Sequence, residues 1–216
     1  MNLKISIAAL VGLAATHACA NIVSTSGDFI VSTPSDVTSS PATAVPDLTI
    51  FAEQQGVTLA SNLAIDDAPD AHVGAYSVAA SADMVPGALG GTRPYDSYFI
   101  FCDPDGPALF HDGSVTFDKP IVGLDPTIDG LNASTSIFGL ASVNYGTFTG
   151  LDGLEIDGRD SYAISADRLT LTIHLRSQVP GDRFRILTAN PVPEPASLFA
   201  VATGVLASIR KKRERA

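Results

Sequence analysis

Arg168-Leu169-Thr170-Leu171-Thr172-Ile173-His174-Leu175-Arg176 alternates without a break. Leu169, Leu171, Ile173 and Leu175 fall on one side, and Thr170, Thr172, His174 and Arg176 on the other. A period of two is that of a β-strand with one buried and one solvated face. Arg183-Phe184-Arg185-Ile186-Leu187-Thr188 repeats the pattern, and the expectation is that its two arginines point outward. No stretch of the body keeps helical periodicity over 11 residues.

Working outward from these two strands, short apolar runs recur between turn residues. Tyr95 to Cys102 is the most apolar run and reads as a central strand, ended by the turn chemistry of Asp103-Pro104-Asp105-Gly106. Ser114 to Asp118 alternates, Pro120 interrupts, and Ile121 to Leu124 continues. Leu48 to Ala52 and Val57 to Ala60 flank Glu53-Gln54-Gln55-Gly56 and read as a hairpin. Further strand candidates are Asp28 to Ser32, His72 to Ala80, Ser136 to Leu140, Ser142 to Phe148, Leu154 to Ile156 and Ser161 to Ile164. Thr33 to Pro46 and Pro86 to Pro94 read as loops. The fold class expected is all-β, an antiparallel β-sandwich or jelly roll over residues 47 to 190, with an up-and-down barrel as the alternative.

Charge is distributed unevenly. Residues 21 to 195 carry 22 acids against 7 bases, whereas residues 196 to 216 carry 5 bases against 1 acid, within a net charge of −10. So acidic a body argues against nucleic acid as a partner. It also keeps a domain soluble. Cys102 is the one cysteine beyond residue 20, which leaves no intramolecular disulfide in a processed chain, and its apolar surroundings predict a buried thiol.

The two ends carry targeting chemistry. Lys4, the apolar stretch Ile5 to Ala15 and the small-x-small site Ala18-Cys19-Ala20 read as a signal peptide over residues 1 to 20, with signal-peptidase recognition at Ala18 and Ala20. A lipoprotein reading through Cys19 meets Thr16 and His17 where aliphatic and small residues are needed. At the other end Val192-Pro193-Glu194-Pro195 precedes an apolar run from Ala196 to Ile209 and the basic cluster Arg210, Lys211, Lys212 and Arg213. Proline stops the preceding element, the run favours lipid, and the cluster resists translocation. The run of 14 residues spans about 21 Å as a helix, short of a hydrocarbon core of roughly 30 Å, which Lys and Arg side chains partly make up by snorkelling. A buried C-terminal helix is the alternative.

This tail, residues 191 to 216, resembles the PEP-CTERM sorting signal of exported Gram-negative proteins. The resemblance implies recognition, and cutting near Pro193 to Pro195, by an integral-membrane exosortase, in hosts that make exopolysaccharide and biofilm. It implies transient anchoring in the inner membrane through the C-terminal helix, then delivery to the surface or medium. The body looks like the uncharacterised globular domain that often precedes such a tail. The likeness rests on Phe51 to Leu59, Ser97 to Pro104, Gly113 to Phe117 and Asp182 to Thr188, and it carries no catalytic residue to transfer.

No motif fixes a reaction. His72, His111 and His174 have no metal-ligand spacing, and neither a Gly-x-Ser-x-Gly elbow nor a phosphate loop occurs. No catalytic or metal-ligating set is expected. Calcium is the cation that fits best, through Asp103, Asp105 and Asp112 or through Asp152, Glu155, Asp157 and Asp160, although Asp with Gly is also ordinary turn composition. Asp66, Asp67 and Asp70 form a further acidic patch. Without Trp, a sugar platform has Tyr76, Tyr95, Tyr98, Tyr145 and Tyr162 to draw on. The expectation is a non-enzymatic surface or matrix protein associated with extracellular polysaccharide. The alternatives are a carbohydrate-active enzyme, or a calcium- or carbohydrate-binding module, on a jelly roll, and a bitopic protein with an uncut tail.

Overall fold

A computed structural model describes residues 21–38, 44–150 and 152–189. The targeting segments, with Ala18, Ala20, Val192, Pro193, Glu194, Pro195, Arg210, Lys211, Lys212 and Arg213, lie outside the described residues. The elements in chain order are β1 (Ile22–Gly27), β2 (Phe29–Val31), β3 (Val45–Ala52), β4 (Val57–Thr58), β5 (Leu63–Ile65), β6 (Tyr76–Ala80), β7 (Gly87–Leu89), β8 (Pro94–Asp103), β9 (Leu109–Phe117), β10 (Ile121–Asp125), α1 (Ile128–Phe138), β11 (Asp157–Ile164), β12 (Thr170–Ser177) and β13 (Asp182–Ala189).

The chain is β-rich. One five-stranded sheet has the order β1-β9-β12-β11-β6, and a six-stranded sheet the order β10-β13-β8-β3-β2 with β4 also on β8. Strands β5 and β7 form a small pair. Neither large sheet closes into a barrel. Among the described residues the strand ladders are antiparallel except β2 with β3, where Phe29, Ile30 and Val31 run parallel to Leu48, Thr49 and Ile50.

The alternation of β12 does what its sequence demands. Leu171, Ile173 and Leu175 are buried and join Val78, Val115, Tyr162 and Ile164 in one cluster with Ile50, Tyr98, Ile100, Phe184 and Ile186 of the six-stranded sheet. Burying that many branched and aromatic side chains is the main favourable term in this fold, at about 25 cal/mol per Å² of apolar surface.

The six-stranded sheet is covered on its other face as well. Phe51, Phe99 and Phe101 pack there with Leu131, Val37, Val143, Tyr145 and Phe148. Tyr95, Val122 and Leu187 meet Leu63, Ile65, Leu89 and Phe138. Burial on two faces explains why every residue of β8, β10 and β13 is buried.

Several expectations are corrected. An 11-residue helix, α1, replaces the strand expected at Ser136. Its buried positions Gly130, Leu131, Ser134 and Phe138 do follow a helical face, but glycine and serine sit among them, so no apolar period is visible. Val143, Tyr145, Phe148, Leu154 and Ile156 are buried loop residues rather than strand residues. No hairpin joins β3 and β4, because both pair with β8. Phe51 and Ala52 lie opposite Phe99 and Tyr98, and Val57 lies opposite Tyr95, so Glu53 to Gly56 is an excursion within one strand path. Gly56, at φ 69°, turns the chain back, and its N–H donates to Asp96 Oδ1 at 2.7 Å. The loop expected at Pro86 to Pro94 contains β7, and β1 arises from a stretch for which no strand was expected.

Candidate functional site

The largest correction concerns β13. Arg183 and Arg185 do leave the inter-sheet core, as alternation requires, but they enter the second covered face and are 0% exposed. Arg185 grips Glu53 bidentately, Nε to Oε2 at 2.7 Å and Nη2 to Oε1 at 2.8 Å. Its Nη1 donates to Leu131 O and to the Ser134 and Thr135 hydroxyls of α1. Phe99 and Tyr145 flank the guanidinium, at 5.1 and 5.9 Å. Arg183 donates to Asp152 Oδ1 at 3.0 Å and to Val37 O at 2.8 Å, over the rings of Phe101 and Phe148. Each cation is desolvated and fully paired, so these groups fasten loops to a sheet and present no charge to a ligand.

Asp67 is the centre of the most chemically loaded surface-proximal cluster. An isolated backbone bridge joins Asp67 to Leu124, and its carboxyl meets a tyrosine from each of β6 and β11. It accepts from Tyr162 Oη at 2.8 Å, Tyr76 Oη at 3.2 Å and the Val85 N–H at 3.0 Å, and His72 Nε2 lies 3.0 Å from Oδ1. His72 stacks on Tyr76 with ring centroids 3.7 Å apart. Burial, and then the Asp67 charge, push both phenols above their ordinary range, so they remain donors. A carboxyl orienting a histidine is one half of an acid–base device. With its oxygens saturated, Asp67 serves here to hold His72 and Tyr76 in one pose.

The remaining acids are largely committed to partners. Asp66 accepts from the Thr127 N–H and hydroxyl at the start of α1. Asp70 pairs with Arg168, and Lys119 with buried Asp96. Members of the two stretches expected for calcium have protein partners. Asp103 and Asp152 both act on Arg183, Asp160 accepts the N–H groups of Glu155 and Arg176, and Asp112 lies 2.5 Å from His174 Nδ1. Among the described residues no three His, Cys, Asp or Glu side chains are placed to hold a metal.

Cys102 is buried, as its sequence context predicts. Its Sγ is 3.3 Å from His111 Nε2, whose Nδ1 is 3.8 Å from Asp28 Oδ2. The order thiol, imidazole, carboxylate is that of a nucleophile triad. Burial and then nearby carboxylates push the thiol up to about 12, the opposite of activation, and it has no exposed surface. Next to it in the ladder, Asp182 is 4% exposed, its Oδ2 has no hydrogen-bond partner, and burial pushes its carboxyl up to about 8.

Of the five tyrosines, four are buried and Tyr76 alone is half-exposed. It borders a cleft of about 420 Å³ formed with Ser77, Ala163, Ser165, Thr170 and Thr172 on the five-stranded sheet. Phe110, 64% exposed on the same sheet, is an aromatic that sequence reasoning missed, because a Phe beside a turn reads as core.

Comparison of the chain with protein-family models, with curated proteins and with solved structures gives no match.

Proposed function

We propose that this is an exported, non-catalytic surface or matrix protein, a jelly-roll-type β-sandwich delivered by a signal peptide and a C-terminal sorting signal and associated with extracellular polysaccharide. One observation carries the reading: the sequence places a small-x-small site, Ala18-Cys19-Ala20, ahead of the β-rich body and Val192-Pro193-Glu194-Pro195 with an apolar run and a basic cluster after it. Cuts after Ala20 and at the Pro193 to Pro195 triplet leave both sheets whole.

The contact at the front edge supports the first cut. Asn21 N donates to Asp118 Oδ1 at 2.8 Å, Asn21 Nδ2 to Oδ2 at 3.2 Å, and the Asp118 N–H returns a bond to Asn21 O. Cleavage turns that amide into an ammonium facing a carboxylate, a charge-assisted bond in place of a neutral donor. The rear cut is the work of an exosortase-type membrane protease. The apolar run from Ala196 to Ile209 holds the chain in the membrane until then. Non-catalytic character is supported by the commitment of Glu53, Asp67, Asp96, Asp152 and Asp160 to internal partners.

Intact mass of the protein recovered from its host's envelope and medium is the test. The expected mass lacks residues 1 to 20 and everything beyond the Pro193 to Pro195 region. A mass that retains the basic tail overturns the processing claim and makes the chain a membrane-anchored ectodomain.

A further inference from the structure

Proline closes the β13–β8 ladder on both strands. Ala189, the last residue of β13, lies opposite Tyr95, and the antiparallel direction carries the chain from there past Pro94 towards Arg93. Pro94 and Pro191 have no N–H with which to extend the pairing, and Pro193 and Pro195 repeat the lack. Contact beyond Ala189 therefore falls to side chains. Between Asn190 and Pro195 one of them is charged, Glu194. It stands five residues beyond Ala189, a reach of at most about 17 Å.

Beside that exit lies a cleft of about 500 Å³, lined by Asp70, Leu89, Gly90, Thr92, Arg93 and Tyr95 among others. Arg93 is half-buried, with its guanidinium 5.1 Å from the centre of the Tyr95 ring and its Nε donating to Tyr95 Oη at 3.2 Å. Tyr95 is itself fixed, because its hydroxyl donates to Gly90 O at 2.7 Å and accepts from the Gly90 N–H at 3.1 Å. Lys119, Arg168, Arg183 and Arg185 each have an acid partner, whereas Arg93 has none among the described residues. An arginine held in one pose with its two Nη groups uncommitted is built to take a carboxylate. Asp70, the acid in the lining, is already paired with Arg168, so two cations stand here against one anion. In a body with 22 acids and 7 bases, a carboxylate is repelled by most of the surface and attracted at this place.

We infer that this cleft is a carboxylate-binding site whose occupant is Glu194 of the same chain, docked against the Arg93 guanidinium so that residues 190 to 195 are held on the folded body. The clasp goes beyond the proposed delivery and does not depend on it, because cleft and occupant both belong to the isolated chain.

Val192 lies between Ala189 and Glu194, so docking encloses it. Thiol labelling of Val192→Cys with iodoacetamide tests the clasp, in the full chain carrying Cys19→Ser and kept in nonionic detergent, where buried Cys102 stays silent. Protection is the labelling rate in concentrated urea divided by the native rate, a ratio that cancels the effect of the Glu194 charge on the neighbouring thiol. The expected protection is at least about threefold, lost in Arg93→Met and in Glu194→Gln, with the combined variant no less protected than either. About 1 M NaCl lowers the protection of the parent and leaves that of Glu194→Gln unchanged. Matching melting temperatures exclude unfolding as the cause, and should Arg93→Met unfold, Glu194→Gln, which lies beyond both sheets, decides. Equal protection in the parent and Glu194→Gln, full protection in a folded Arg93→Met, or protection that rises with protein concentration and so comes from a second copy overturns the proposal.

Discussion

At the residue scale the decisive side chains are Arg183 and Arg185. Both occupy polar positions of an alternating strand, where solvent is the ordinary neighbour, and both are wholly buried. Nothing local distinguishes them from Thr172 and His174 on β12, which point to water. The difference is supplied by Glu53, Asp152 and the carbonyls of Val37 and Leu131, which approach from distant parts of the chain. Removing one partner strands the other in a dry interior. Arg185→Met is expected to lower unfolding stability by about 3–5 kcal/mol, and the double variant with Glu53→Leu to recover much of it. Urea unfolding midpoints measure both. Recovery in the double variant separates a stranded charge from lost packing.

At the element scale β1 depends on one glycine. Gly27 ends β1 at φ 70°, and a Cβ there would lie 2.1 Å from Asp112 O, the carbonyl that accepts the Asp28 N–H. Gly27→Ala therefore combines a left-handed backbone with a clash against an engaged carbonyl. A loss of about 2–4 kcal/mol is expected, together with faster hydrogen exchange along the β1–β9 ladder. Gly56→Ala is the comparison, since φ is 69° and no atom lies within 4 Å of the added Cβ. It carries only the conformational cost, about 1 kcal/mol. Thermal unfolding of the two variants separates steric from conformational cost.

Elements were legible where one period persisted. Tyr95 to Cys102 and Ser161 to Ile164 fall within strands, Ser114 to Asp118 does so except for Asp118, and Arg168 to Arg176 except for Arg168 and Leu169. Legibility failed for α1, where Gly130 and Ser134 occupy buried positions because Asp66 and Asp125 crowd one and the Arg185 network engages the other. It failed again for Val143, Tyr145, Phe148, Leu154 and Ile156, whose apolar character reports a covered sheet face rather than a strand.

At the scale of the whole molecule, buried carboxyls set the response to pH. Burial pushes Asp182 up to about 8 and Asp125 up to about 6, and raises Asp66 as well. The native state then holds protons that the unfolded chain releases at ordinary carboxyl values, so stability falls as pH rises from about 4 to about 8. Asp182→Asn is expected to flatten the upper part of that fall and to gain on the order of 1–3 kcal/mol at pH 9, with little change at pH 4. Denaturation series at the two pH values measure the difference. An equal gain at both would trace the effect to the orphaned Oδ2 rather than to its charge.

Alternation along the chain was enough to establish a β-rich body, the central place of Tyr95 to Cys102 and the burial of the lone thiol, because burial on a pleated strand repeats every second residue and leaves its mark in local order. Which faces are covered was decided only in three dimensions. A helix and long loops close the second face of the six-stranded sheet, turning two polar arginines into interior ion pairs. Such outcomes depend on contacts between residues 31 positions apart, as Asp152 and Arg183 are, to 132 apart, as Glu53 and Arg185 are, and no local pattern encodes them.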